Sequence, residues 1–207
     1  ANGTKLESNA YNFTKLANRP HIPEFEKDEL VIIGAPVYVG RVPNVVAPIL
    51  KTLKGNNTPC ILIGVYGNRH FDDYLVELED MMTGQGFIPV AAAAFFGTHS
   101  FSDDLAPNRP NQRDLEKAKK IGSDTVKKLT ELKKANALAK GTIPGGRPYR
   151  QPFRSDLPKP KPYCPVVNDK CISCSACAEA CPTGAINPKD VSDIDPNKCI
   201  KCRACAR

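Results

Sequence analysis

The chain has 207 residues, enough for one domain of ordinary size and a small appendage. No apolar run approaches the roughly 18 residues that a membrane-spanning helix needs and no signal peptide is visible, so membrane insertion is not expected. The net charge of +7 is uneven: residues 1–138 carry 17 basic and 16 acidic side chains, 139–163 six and one, and 164–207 six and five. The basic excess therefore sits in one Pro- and Gly-rich stretch. That stretch lacks the interleaved aromatics of a single-strand binder, and no nucleic-acid partner is expected.

Residues 1–27 are polar and punctuated by Asn and Pro, and predict only a short strand at 10–13. Residues 30–33 are continuous and mostly β-branched, the pattern of a strand covered on both faces of a parallel sheet. Residues 60–65 and 87–96 repeat it. Between these runs, 45–53 places Val46, Ile49, Leu50 and Leu53 on one helical face, and 74–82 does the same with Leu75, Leu78, Met81 and Met82. Strand, helix, strand, helix, strand implies right-handed crossovers with helices on both faces. A longer helix is predicted over 112–138, striped by Leu115, Ala118, Gly122, Thr125, Leu129 and Leu132. Asn111 is its predicted N-cap, with Asp114 and Glu116 near the positive end and the lysines of 127–134 near the negative one.

In open α/β sheets the crevice outside the carboxyl ends of the strands receives the ligand. Three loops rich in Gly, aromatic and hydrogen-bonding residues follow the three strands: A-P-V-Y-V-G-R-V-P-N, Y-G-N-R-H-F-D-D and G-T-H-S-F-S. This half of the chain resembles flavodoxin-like domains, and more closely those fused to a two-cluster ferredoxin in anaerobic bacteria and archaea. The resemblance implies FMN embraced by the first two loops. Tyr38 and Gly40 match the first flavin loop, with Arg41 and Pro43 completing its pattern, and Tyr66, Gly67, Asn68 and Arg69 match the second. An aromatic ring would stack on the flavin, and Gly would let a peptide group approach its redox-active edge. The strand and phosphate loop that open a flavodoxin do not precede Leu30, and Asn2, Gly3 and Thr4 are at best a vestige of them. The expectation is a chain that starts after that element.

Several residues invite a functional reading and receive a structural one. His99, beside Ser100, is expected to be a loop histidine bonded to its neighbours, His70 to face solvent, and His21 to be incidental. Cys60 and Cys164 stand outside any ligand spacing and read as buried or idle thiols. Asp72 and Asp73 read as acids at a helix start, where they favour the macrodipole. Residues 139–163 hold nine Pro or Gly, too many for a helix or sheet interior, and read as a basic connector that either packs through Tyr149 and Phe153 or tethers loosely.

Eight of the nine cysteines fall between 164 and 205. The run C-I-S-C-S-A-C-A-E-A-C-P supplies Cys171, Cys174, Cys177 and Cys181, and C-I-K-C-R-A-C supplies Cys199, Cys202 and Cys205. Three thiolates three residues apart can wrap one corner of an iron–sulfur cube. Paired C-x-x-C units also bind zinc, but zinc sites rarely use three Cys in unbroken x2 spacing, which occurs twice here and is followed in the first run by a fourth Cys and Pro182. The region 164–207 resembles the bacterial two-cluster ferredoxins. In that family the fourth Cys of each run ligates the cluster of the other, which implies one site of Cys199, Cys202, Cys205 and Cys181. Cys171, Cys174 and Cys177 would hold the second, with a last ligand expected beyond Arg207.

The expected fold class is α/β: a flavodoxin-like doubly wound parallel sheet in residues 1–138, a linker at 139–163, and a small α+β ferredoxin domain at 164–207. The resemblances imply two 4Fe–4S clusters and an FMN in an electron carrier serving redox partner proteins, rather than a substrate-transforming enzyme. The alternatives are a ferredoxin module with a flavin-free docking domain, and an FMN-dependent reductase fed by the clusters. Bunched thiols and oxygen-labile clusters point to the cytoplasm of an anaerobe. Arg147, Arg150 and Arg154 of the connector are expected to stabilise the reduced clusters or to dock an acidic partner.

Overall fold

The computed structural model describes residues 7–20, 22–132, 137–139, 141–151 and 162–206. His21, residues 2–4, Phe153, Arg154 and the side chain of Leu132 lie outside them. The chain forms two compact units, one of Ala1–Asn9 with Ile22–Pro152 and one of Ala10–His21 with Phe153–Arg207. Among the described residues no helix is long and apolar enough to cross a membrane.

In the first unit the elements run β1 (Glu24–Phe25), β2 (Val31–Pro36), α1 (Ala47–Leu50), β3 (Lys54–Gly55), β4 (Thr58–Tyr66), α2 (Tyr74–Gly84), β5 (Phe87–Phe96) and α3 (Gln112–Leu132). Strands β2, β4 and β5 form a parallel sheet in that order, with Ile33 beside Leu62 and Leu62 beside Ala92. Strand β4 is central, and its first five residues are buried, as a near-continuous apolar run in a parallel sheet should be. The β1–β3 pair is also parallel, and Phe25 sets its ring 5.9 Å from that of Phe87.

Helix α2 packs on β4 and β5 through Leu75, Val76, Leu78 and Met82, all buried. The fully buried Tyr74 lays its ring under the sheet and brings its hydroxyl within 3.0 Å of the carbonyls of both Ala35 and Ile63. A Cβ at position 64 would stand 2.7 Å from that ring, so Gly64 is the residue that admits Tyr74. Cys60, on the same strand, is fully buried, and burial pushes its thiol up to about 12.

Three expectations give way here. The helix expected over 45–53 is α-helical only over Ala47–Leu50: Pro48 sits in its first turn, where a missing N–H is tolerated, and beyond Leu50 the N–H groups of Thr52 and Leu53 reach back three residues, to Ile49 and Leu50, instead of four. Residues 10–13 form no strand; among the described residues of 1–27 the regular elements are a 3-10 turn at Leu16–Asn18 and β1. The helix predicted to reach 138 ends at Leu132 in the described chain; residues 137–139 are not helical, and Leu138 donates its N–H to Pro89 of β5 at 2.8 Å. Its buried stripe also differs, since Gly122 and Thr125 are covered while Leu115 and Ala118 face solvent. Asn111 does cap this helix: its side chain accepts the N–H of Asp114, and the Asp114 carboxylate accepts the N–H of Asn111.

The connector is not uniform either. Residues 145–150 lie along α2, where Asp73 accepts N–H groups from Gly146 at 2.8 Å and Arg150 at 2.6 Å. Arg147 pairs with Glu79 and Asp80, Tyr149 donates to Asp80, and Ile143 is buried. The charges expected to face the clusters or a partner are thus engaged within the unit at Arg147, and at Arg150, which lies 3.7 Å from Asp72. Asp73, expected to serve its own helix, makes no capping hydrogen bond and holds this strap instead.

The second unit contains α4 (Ala176–Ala180), a hairpin of β6 (Ile186–Asn187) and β7 (Asp190–Ile194), and a 3-10 turn at Ala204–Ala206 that packs against α4.

Two outcomes follow from these contacts. Gly64→Ala should lower stability by about 1–3 kcal/mol, because the Tyr74 ring cannot retreat; a urea midpoint unchanged relative to Gly84→Ala, which has nothing within 4 Å of its Cβ, would contradict the packing. The second concerns the strap. Burial raises the Asp73 carboxyl, but the N–H donors and arginines around it hold it below its ordinary range, and hydrogen bonds from Arg147 hold Asp80 below as well. Groups depressed on folding stabilise fully above their unfolded values near pH 4 and lose that contribution as pH falls through the folded ones. Amide exchange at 145–150 should therefore rise below about pH 4 while β4 stays protected.

Candidate functional site

The two cysteine runs are built on the same backbone. Ser173 and Ser175 have φ of 55° and 61°, and Lys201 and Arg203, at the same positions in the second run, have 60° and 61°. Left-handed residues between right-handed or extended ones turn successive peptide N–H groups to one side and make a concavity for an anion, a form found at many iron–sulfur sites. No glycine relieves these positions. Each carries a non-glycine side chain in a region that costs on the order of 1 kcal/mol, retained where surroundings over-determine it.

The hairpin fixes both runs. Ser175 donates its hydroxyl to Pro188 in the β6–β7 turn at 2.8 Å, and Cys199 donates its N–H to Asp195, whose own N–H reaches Ala185. Cys171 and Cys174 are exposed, whereas Cys177, Cys181, Cys199, Cys202 and Cys205 are half-buried. Burial raises the Cys205 thiol, and so does the proximity of Cys202, Cys199 and Cys181, so these four sulfurs share one electrostatic neighbourhood. At Cys181 burial also raises the thiol, but donors from Thr183, Ala185 and Ile186 more than offset it and hold it below the ordinary thiol range. The Ala185 N–H lies 3.3 Å from Cys181 Sγ, and the Ser173 N–H 3.4 Å from Cys171 Sγ. Cys164 stands apart and directs its S–H at the Ile194 carbonyl, 3.7 Å away.

Among the described residues no three His, Cys, Asp or Glu side chains converge on one ion. A cube is wider than an ion. Soft thiolates on N–H-lined concavities fit it in donor type and in electrostatics.

The second candidate region lies at the carboxyl ends of β2, β4 and β5, where all three loops meet. Val37 donates to Val65, Gly97 donates to Tyr66, and a Cβ on Gly67 would stand 2.6 Å from the His99 ring. Tyr38 and Arg41 exchange backbone hydrogen bonds across Val39 and Gly40, whose φ of 52° and 78° define a primed two-residue turn. Gly40 is required twice over, since a Cβ there would stand 2.1 Å from the Asp72 carboxylate. Tyr66 sets its ring 5.0 Å from Phe96 and 5.6 Å from Phe71. Asn68 is left-handed at 66°.

Both arginines of these loops are engaged. Arg41 forks onto Glu77 with two bonds of 2.8 Å, donates to the Arg150 carbonyl, and sits 4.7 Å over the Tyr149 ring. Arg69 pairs with Asp72. The two guanidinium groups are committed to carboxylates of this unit. His99 accepts the Phe101 N–H at 3.1 Å, the behaviour of a loop histidine, and His70 is exposed. Glu77, which also accepts the Val42 N–H at 2.9 Å, carries no signal in the sequence, and Asp72, expected to serve a helix start, instead pairs with Arg69 and meets Gly40 of the first loop. Arg41 and Val42, the partners of Glu77, are distant along the chain.

Residues 170–207 match the model of the 4Fe-4S dicluster domain. No curated protein and no solved structure matches the chain. This stretch is a ferredoxin-type iron–sulfur module, and its chemistry is electron transfer with redox partners.

The left-handed positions supply the test. Ser173→Val and Lys201→Val put a β-branched residue where φ is positive and should each lower the iron retained after anaerobic reconstitution and gel filtration, whereas Ser173→Gly should not. Equal retention in all three would show that the concavities do not matter.

Proposed function

We propose that this chain is an electron carrier that passes single electrons between redox partner proteins through two 4Fe–4S clusters, with an FMN at the carboxyl end of its parallel sheet. The observation that carries the reading is the dicluster-domain match over residues 170–207, supported by the repeated left-handed backbone of the two cysteine runs; ligand exchange between the runs would join Cys181 to Cys199, Cys202 and Cys205. Cys171, Cys174 and Cys177 would hold the other cluster. When bound, the clusters supply one-electron couples and FMN exchanges two electrons for one.

The protein's own contribution is to line the sulfurs with N–H donors and to hold the flavin loops still through Glu77, Arg41 and Asp72. Three parallel strands in chain order support the flavodoxin-like reading, being the arrangement of the last three strands in that topology. Bunched thiols fit a reducing cytoplasm, and oxygen-labile clusters fit an anaerobe. A second reading, favoured by the commitment of Arg41 and Arg69 to carboxylates, makes the first unit a flavin-free docking domain.

Anaerobic purification with iron, sulfide and flavin analysis separates them. About one flavin per chain supports the first, and iron without flavin the second. Cys181→Ala and Cys205→Ala should each remove about four irons and leave the same paramagnetic signal, with Cys177→Ala leaving the complementary one. If Cys181→Ala behaves like Cys177→Ala, the ligand exchange is wrong. Colourless protein carrying zinc would end both readings.

A further inference from the structure

Residues 10–20 belong to the same compact unit as the cysteine runs, and Arg19 makes the connection. Its Nε donates to the Phe13 carbonyl and its Nη2 to that of Thr14, both at 3.1 Å, so the guanidinium gathers its own segment. The same Nη2 lies 2.5 Å from the carbonyl of Pro182, 163 residues away in sequence. A second contact is independent of charge: Leu16 Cδ1 lies 3.0 Å from where a Cβ on Gly184 would stand. Arg19 and Leu16 thus grip residues 182 and 184, on either side of Thr183. This short loop lines Cys181: the Thr183 hydroxyl is 3.6 Å from its sulfur, and the Ala185 N–H closes the far side.

We propose that Arg19 is a positioning residue for the cluster that Cys181 serves, clamping the loop that lines that sulfur and placing a permanent positive charge beside it. Reduction adds one electron, supplied by the redox partner, to a group that is already anionic. A half-buried guanidinium nearby favours that state, so this cluster has a higher potential than its neighbour. The inference rests on the reading of Cys181 as a ligand.

The test uses the full chain, purified without oxygen, with Arg19→Gln and Arg19→Lys compared by redox titration followed by electron paramagnetic resonance and by iron content. Arg19→Gln should shift the oxidised-to-reduced ratio of one cluster toward oxidised by about tenfold at fixed ambient potential, which is 59 mV for a one-electron couple, or release that cluster's iron selectively. The other cluster should not move, and Arg19→Lys should stay near wild type. Equal effects on both clusters, no effect on either, or failure of either variant to fold would overturn the proposal. Wild-type protein without iron ends the underlying reading, whereas both clusters present with unmoved potentials in Arg19→Gln end this inference alone.

Discussion

Sulfur that is to hold iron as thiolate must be surrounded by hydrogen-bond donors, and in a module this small the donors are peptide N–H groups. That requirement explains why Ser173, Ser175, Lys201 and Arg203 are left-handed without being glycine. The geometry has to be imposed from outside the runs, and the β6–β7 hairpin imposes it through Ser175 with Pro188 and through Cys199 with Asp195. Each run is then a short loop with fixed ends rather than a flexible string of cysteines.

The α/β unit answers a different demand. Its loops at the carboxyl ends of β2 and β4 are held by charge, with Glu77 receiving both Arg41 and the Val42 N–H, and Asp72 filling the space that Gly40 leaves. Among the described residues of the connector, the arginines are answered by acids at the start of α2 and along it. Net charge counted along a sequence says where arginines are, not what they face. Here Arg147 and Arg150 face carboxylates of their own unit.

The elements that were legible in sequence are those whose environment is uniform. Strands β4 and β5 are apolar runs because a parallel sheet covers them, and the Asn111 cap is a local exchange with Asp114, three residues on. Residues 45–53 read as one helix because side-chain periodicity does not report where backbone bonds tighten from four residues to three, as they do at Thr52 and Leu53. The stripe of α3 misled in its first turns because periodicity assigns a face to every apolar residue, whether or not anything packs there, and Leu115 and Ala118 have solvent against them.

Sequence alone carried the signal of the iron–sulfur module, since spacing of three is a property of the chain and so is its repetition. It also placed the three loops at one end of the sheet, because parallel strands put all their carboxyl ends on one side. Tertiary structure decided the rest: that Glu77 meets Arg41, that Asp72 meets Gly40, and that residues 10–20 belong with the cysteines. Those relations join residues far apart in the chain, and an interaction between distant residues leaves no period, run or spacing by which one strand of text could announce it.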